Sequence, residues 1–109
     1  MAVNLTKVFN NLKTGIADLA EKDVKDYIAE ATTDGQALLN ELKADLANWT
    51  QELLNKQLSE DDFKDLVLGQ KDEIEMVALK EAGIAEIKAD QFKIDVINLI
   101  ITTITALIP

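Results

Sequence analysis

Apolar residues recur once per helical turn over almost thirty consecutive residues, and this stripe constrains the fold of the chain more than any other feature. It runs through Val24, Ile28, Ala31, Gly35, Leu38, Leu42, Leu46, Trp49 and Leu53. Its eight steps cover 29 residues, which matches the period of about 3.6 residues per turn of an α-helix. The single proline is Pro109, so no internal proline interrupts the pattern. The stripe predicts an amphipathic helix with one buried face, and it places Trp49 in the core.

Shorter apolar stripes lie on both sides of this segment. One precedes it and consists of Val8, Leu12, Ile16 and Leu19, with Phe9 beside them. Two follow it, first Phe63, Val67, Ile74, Val77 and Ala78, and then Ile84, Ile87 and Ile94. Boundaries near residues 20–23 and 55–60 separate the helices. The sequence therefore predicts an all-α fold, an antiparallel bundle of three or four amphipathic helices in a single domain over residues 1–109.

Capping residues predict where two of these helices begin. Asp23 precedes the long stripe and is a candidate N-cap, because its carboxylate can accept a hydrogen bond from a free N–H of the first turn. Ser59 is a stronger candidate, since Asp62 follows at the capping-box distance. Three acidic residues occupy the turn after Ser59, where the helix dipole favours negative charge.

A third start signal lies inside the long stripe. Thr33 and Gln36 fit a capping box, and the segment 32–36 also contains a turn-forming residue and a glycine. Residues 23–57 could therefore form one helix or two. We favour one helix, because the stripe keeps its phase across Gly35.

The residue types that the chain lacks restrict its chemistry. It has no histidine and no cysteine, and all 11 of its basic residues are lysines. The usual general base, the commonest transition-metal ligands and the thiol nucleophile are therefore missing. The His-containing motif of a di-metal helical bundle cannot be completed either. We expect no enzymatic activity, no catalytic residues, no metal site and no cofactor.

The charge of the chain argues against nucleic-acid binding. The 20 acidic residues exceed the 11 lysines and give a formal net charge of −9. The excess is spread evenly along the chain, and arginine, whose planar fork reads phosphates and bases, is absent. We therefore expect a charged, solvated surface and no nucleic-acid partner.

Acidic residues recur at helical spacing, but each group has a simple explanation. Glu41 and Asp45 lie one turn apart, as do Asp72 and Glu75, with Lys43 inside the first pair and Lys71 next to the second. The acidic run at 60–62 lacks the alternating order and the terminal glutamate of a calcium loop. These residues are predicted to form solvated helix faces and a helix start.

The C-terminal segment is the one part of the chain that stands out. Asp95 is the last charged residue, and residues 96–109 are almost entirely apolar. The apolar side chains point in nearly every direction around a helix, and we predict that they form an interaction surface: Val96, Ile97, Leu99, Ile100, Ile101, Ile104, Leu107 and Ile108. Burial in the monomer's own core and contact with lipid are the alternatives. As a helix the segment spans about 21 Å, less than the roughly 30 Å of a hydrocarbon core, so a single-pass anchor is disfavoured.

These observations predict a non-catalytic helical interaction or assembly module. It would form a homo-oligomer or bind a protein partner through the apolar C-terminal segment. The alternative is a lipid- or membrane-associating helical protein in which that segment inserts. Residues 1–7 lack the apolar core of a signal peptide, so a cytoplasmic location is the default expectation, with membrane association as the alternative.

Overall fold

A computed structural model of the protein describes residues 4–108, apart from the side chain of Lys71. The N-terminal residues 1–3, on which part of the signal-peptide argument rests, and Pro109 lie outside the described residues. The described residues form five α-helices: α1 (Leu5–Asp23), α2 (Ile28–Leu54), α3 (Glu60–Gly69), α4 (Val77–Glu81) and α5 (Glu86–Thr105). Short 3-10 helices cover Lys25–Tyr27 and Gln70–Asp72. The prediction of an all-α bundle is confirmed, and the five-residue α4 adds to the four longer helices.

Helix α2 is continuous through residues 32–36, as the unbroken phase of the stripe predicts. Gly35 is buried and packs against Ile16 of α1, where an added Cβ would overlap the Cγ2 atom of Ile16. Phe92 of α5 approaches the same position, with its ring 3.5 Å from that Cβ position. The glycine inside the helix therefore serves close packing of three helices and does not mark a turn.

Helix α5 packs along α1 in the antiparallel sense. Leu99 lies over Gly15, and further along the pair Asp95 meets Asp23 at the end of α1. A Cβ at Gly15 would stand only 2.8 Å from Leu99 Cδ2, so the glycine lets α5 approach closely. Because α2 also runs antiparallel to α1, the first turns of α2 and α5 lie at the same end of the bundle, near the C-terminus of α1.

The helix starts confirm one predicted cap and correct another. The Ser59 hydroxyl accepts a hydrogen bond from the Asp62 N–H at 3.1 Å, as predicted. Asp23 is the last residue of α1 and does not cap α2. The chain leaves the helix at Val24, whose φ is −139° and whose side chain is buried, and α2 begins only at Ile28. Helix α2 therefore begins four residues later than the helix that an N-cap at Asp23 would start at Val24.

The shorter stripes of the second half are only partly buried. Phe63 and Val67 lie in the core as predicted, but Val77 is 50 % exposed and Ile87 is 80 % exposed. The segment between α3 and α4 is not continuous helix, so helical spacing does not carry across it. Ile74 is buried as predicted, and Met76 and Leu79 are buried where the stripe predicted Val77 and Ala78.

The buried face of α5 also differs from the predicted one. It contains Ala89, Phe92 and Val96, which recur at steps of three and four residues. Ile87 and Ile94 are seven residues apart and share a different face, away from the core. Trp49, predicted to be in the core, is half-buried at its edge, where its ring meets that of Phe63 edge-on at 6.3 Å.

Two glycine substitutions test the packing of the three helices. Gly35→Ala should destabilise the protein by up to about 2 kcal/mol, because the new methyl group overpacks against Ile16 at a cost of about 1–3 kcal/mol. This loss outweighs the gain of roughly 1 kcal/mol in helix propensity. Gly69→Ala is the matched control, since Gly69 is helical with φ of −62° and no atom lies within 4 Å of its Cβ position. It should stabilise by about 0.5–1 kcal/mol. Urea unfolding followed by circular dichroism measures both, and equal effects would contradict the packing.

Candidate functional site

The C-terminal apolar segment lies mostly in the core of the chain itself. Five of its eight predicted surface residues are 0–8 % exposed: Val96, Ile97, Ile100, Ile101 and Ile104. The remaining three, Leu99, Leu107 and Ile108, are half-buried and pack against that core. The interpretation of the eight residues as one exposed surface is therefore corrected for these five.

The physical reason for this burial is the number of helices around α5. Helix α5 contacts α1, α2, α3 and α4. A helix surrounded in this way can bury apolar side chains over most of its circumference, so the segment does not need a partner to cover it.

Among the described residues, the large exposed apolar side chains are Leu66 on α3, Val77 on α4, and Ile28 and Ile87. The last two stand at the starts of α2 and α5, next to the C-terminus of α1. We call the set Tyr27, Ile28, Ile84 and Ile87 the end face. Ile87 is 80 % exposed and Ile28 is 40 % exposed, whereas Tyr27 and Ile84 are half-buried. Tyr27 and Ile84 line one shallow depression of about 270 Å³. Ile28 and Ile87 are the sequence neighbours of two of its lining residues, Tyr27 and Lys88. The end face thus combines apolar side chains from two sequence segments, residues 27–28 and 84–87, around a depression that charged side chains also line.

The turn before α5 positions Ile84 and Ile87. Gly83 has a φ of +89°, a conformation that residues with a Cβ rarely adopt. The Ile84 N–H returns to the Leu79 carbonyl at 3.2 Å, which ends α4 and directs the chain toward α5. Ile84 then packs against the core, and Ile87 lies one turn later on the solvent side.

The charges around the end face are close to balanced. Lys22, Lys25 and Lys88 line the same depression as Asp23 and Asp26. Three positive and two negative side chains therefore surround it, in a protein whose formal net charge is −9. The first turns of α2 and α5 add Glu30 and Glu86, so this near balance holds for the depression itself.

A second shallow groove of about 550 Å³ runs between α1 and α2. Its walls are mostly apolar and include Leu5, Phe9, Ala44 and Ala47. The Lys43 ammonium group lies 5.5 Å from the centroid of the Phe9 ring, as in a cation–π contact. Apart from this lysine, Thr6 and Asn40 are the polar residues that line the groove.

The acidic residues singled out in the sequence lie on the surface. Glu41, Asp45, Asp72 and Glu75 are exposed, and the acidic run at 60–62 forms the first turn of α3. Within residues 4–108 no group of three or more acidic side chains could hold a metal ion.

Asp34 is a structural carboxylate that the sequence analysis missed. It is 5 % exposed on α2, and it accepts hydrogen bonds from the N–H groups of Ala78 and Leu79 at 2.9 and 2.8 Å. Asp34 therefore caps α4 from another helix, since Met76, the residue before α4, makes no side-chain cap. The available signal was its position beside buried Gly35, where a charged residue requires partners.

Comparison with known protein families, with curated proteins and with solved structures finds no match to this chain. In the described part of the chain no helix has both the length and the apolar composition that crossing a bilayer requires.

Substitution of Asp34 tests its capping role. Asp34→Ala should destabilise the protein by about 2–4 kcal/mol, because the Ala78 and Leu79 N–H groups lose their charged acceptor. Asp34→Asn keeps one acceptor oxygen and should lose less. Asp45→Ala, on the exposed face of the same helix, should change stability by less than about 0.5 kcal/mol. Urea unfolding measures all three, and an Asp34→Ala variant as stable as the Asp45→Ala control would contradict this role.

Proposed function

We propose that this protein is a non-catalytic helical assembly module that pairs with a second copy of itself through the end face. The observation that carries the proposal is the exposure of Ile87, which is 80 % accessible beside the half-buried Tyr27 and Ile84. Each large apolar side chain that becomes fully buried contributes about 1.5–3 kcal/mol. Covering Ile87 and Ile28 would therefore favour association.

The charges around the end face favour a second copy as the partner. A two-fold interface places the same patch of both subunits face to face, so the patch must be compatible with itself. The lysines 22, 25 and 88 of one copy can face Asp26 of the other. The acidic first turn of α3, with Glu60, Asp61 and Asp62, would repel an identical surface.

The composition supports the non-catalytic part of the proposal. Without histidine, cysteine or arginine, the chain lacks the groups that most often act as general base, thiol nucleophile and phosphate clamp. We propose no cofactor and no nucleic-acid partner for the same reason.

The burial of the C-terminal segment moves the proposed surface away from it. Of the eight apolar residues predicted as a surface there, only Leu99, Leu107 and Ile108 remain half-exposed, and each already packs against the core. The same burial weakens the lipid alternative, since insertion of the segment would first require it to leave the core.

Substitution of Ile87 tests the proposed surface. Light scattering after size exclusion should give twice the monomer mass of 12.0 kDa for the wild type at high concentration. Ile87→Lys should give 12.0 kDa with unchanged helicity, because Ile87 makes no contribution to the core. The expected loss of affinity is at least tenfold, which corresponds to about 1.4 kcal/mol.

Leu66→Lys is the matched control. Leu66 is 39 % exposed on α3, and α3 packs near the C-terminus of α2 through the contact of Phe63 with Trp49. Trp49 lies 21 residues from Ile28 on the same helix, about 31 Å away, so Leu66→Lys should leave the dimer intact. A wild type that stays monomeric at millimolar concentration would refute self-association. Flotation of the monomer with phosphatidylcholine vesicles, abolished by Ile87→Lys, would favour the lipid alternative instead.

A further inference from the structure

Two carboxyl groups meet where α5 passes the end of α1. Asp23 is the last residue of α1, and Asp95 lies near the middle of α5. Both line a depression of about 340 Å³, and the other residues around it are Leu19, Lys22, Asn98, Leu99 and Thr102. The contact of Leu99 with Gly15 holds the two helices close together one to two turns away. The two acids are therefore brought together by the helix packing itself.

The hydrogen bonds of this pair are incomplete when both groups are ionised. The Oδ2 atom of Asp23 is buried from water, and no group in the described part of the chain donates to it. A buried acceptor without a donor is costly, and a carboxylate next to a second carboxylate more so. Asp95, in contrast, has a donor, because the Gln91 side-chain amide donates to its Oδ1 atom at 3.1 Å. A proton that completes the hydrogen bond between the two acids is therefore expected on Asp23.

The charged groups around Asp23 compensate only partly. Lys22 precedes it on α1, and its positive charge favours the ionised form. The segment after α1 brings Lys25 and Asp26 to the rim, and α5 brings Lys88 and Asp95. The hydrogen bond to Asp95, then burial, then repulsion by the charge of Asp95 raise the pKa of Asp23 from 3.8 to about 6.

We infer that Asp23 and Asp95 share one proton across the contact between α1 and α5, so that the bundle is more stable in mildly acidic than in neutral solution. One proton gives the pair the hydrogen bond that it lacks when both acids are ionised, and it removes one of two adjacent negative charges. At neutral pH the proton leaves and the two carboxylates repel each other, which weakens the attachment of α5 to the end of α1.

The direction of the pH dependence follows from proton binding in the two states. In the unfolded chain Asp23 titrates near its ordinary pKa of 3.8, whereas in the folded protein its pKa is about 6. Between these values the folded state holds more protons. The contribution of the pair to stability is therefore complete below pH 4, declines as the pH rises toward 6, and is absent above it.

The first experiment compares melting temperatures at pH 5.0 and pH 7.5. Asp23→Asn supplies an uncharged donor to Asp95 at either pH, so it should melt several degrees above the wild type at pH 7.5 and close to it at pH 5.0. Asp18→Asn, an exposed acid on the same helix, is the matched control for the general effect of removing one charge from an acidic protein. The same gain in both variants at pH 7.5 would overturn the inference.

A direct titration keeps the inference testable even if a variant folds poorly. The side-chain carboxyl carbon of Asp23, followed by nuclear magnetic resonance in the wild type, should titrate near pH 6. In Asp95→Asn its midpoint should move down, because the carboxyl group that hydrogen-bonds to Asp23 and repels its charge is gone. A wild-type midpoint near 4 would refute proton sharing.

Discussion

The close approach of α1, α2 and α5 is the contact on which the rest of the structure depends. Two glycines make it possible: Gly35 of α2 lies against Ile16 and Phe92, and Gly15 of α1 lies against Leu99. With no Cβ at these positions, the three helices can bury large side chains next to one another's backbones. The fully buried Ile97 and Ile100 show how far this packing encloses α5. An apolar C-terminal segment that looks too hydrophobic for a small domain thereby becomes part of its core.

The same packing assigns different roles to chemically identical side chains. Asp34 is buried beside the contact of α1 with α2, and it is satisfied because two N–H groups of α4 point at it. Asp23 sits at the end of α1, where α5 places Asp95 next to it. No donor among the described residues reaches its Oδ2 atom. Asp45 is on the outer face of α2 and remains solvated. The role of each carboxylate follows from what the neighbouring helices present to it.

The end of the bundle where α1 stops and α2 and α5 begin combines these features. It carries the exposed Ile87, a nearly balanced set of charges, and the carboxyl pair of Asp23 with Asp95. The proposed self-association and the proposed proton sharing rest on different atoms, and neither requires the other. Both proposals depend on the position of α5. It packs against the end of α1, which brings Asp95 to Asp23, and its own first turn with Ile87 lies outside the core.

The repeat of apolar residues by itself determined the all-α class, the continuity of α2 and the boundary capped by Ser59. Periodicity and capping depend on residues that are close in sequence, so the helices and the helix start that they predict can be found without knowledge of the tertiary structure. The sequence did not determine α4, whose cap is supplied by Asp34 from more than forty residues away. Nor did it determine which apolar residues are covered: Ile101 is buried and Ile87 is exposed, although both belong to apolar helical patterns. That choice depends on where the other helices lie around α5, and the long-range packing around the glycines 15 and 35 decides it.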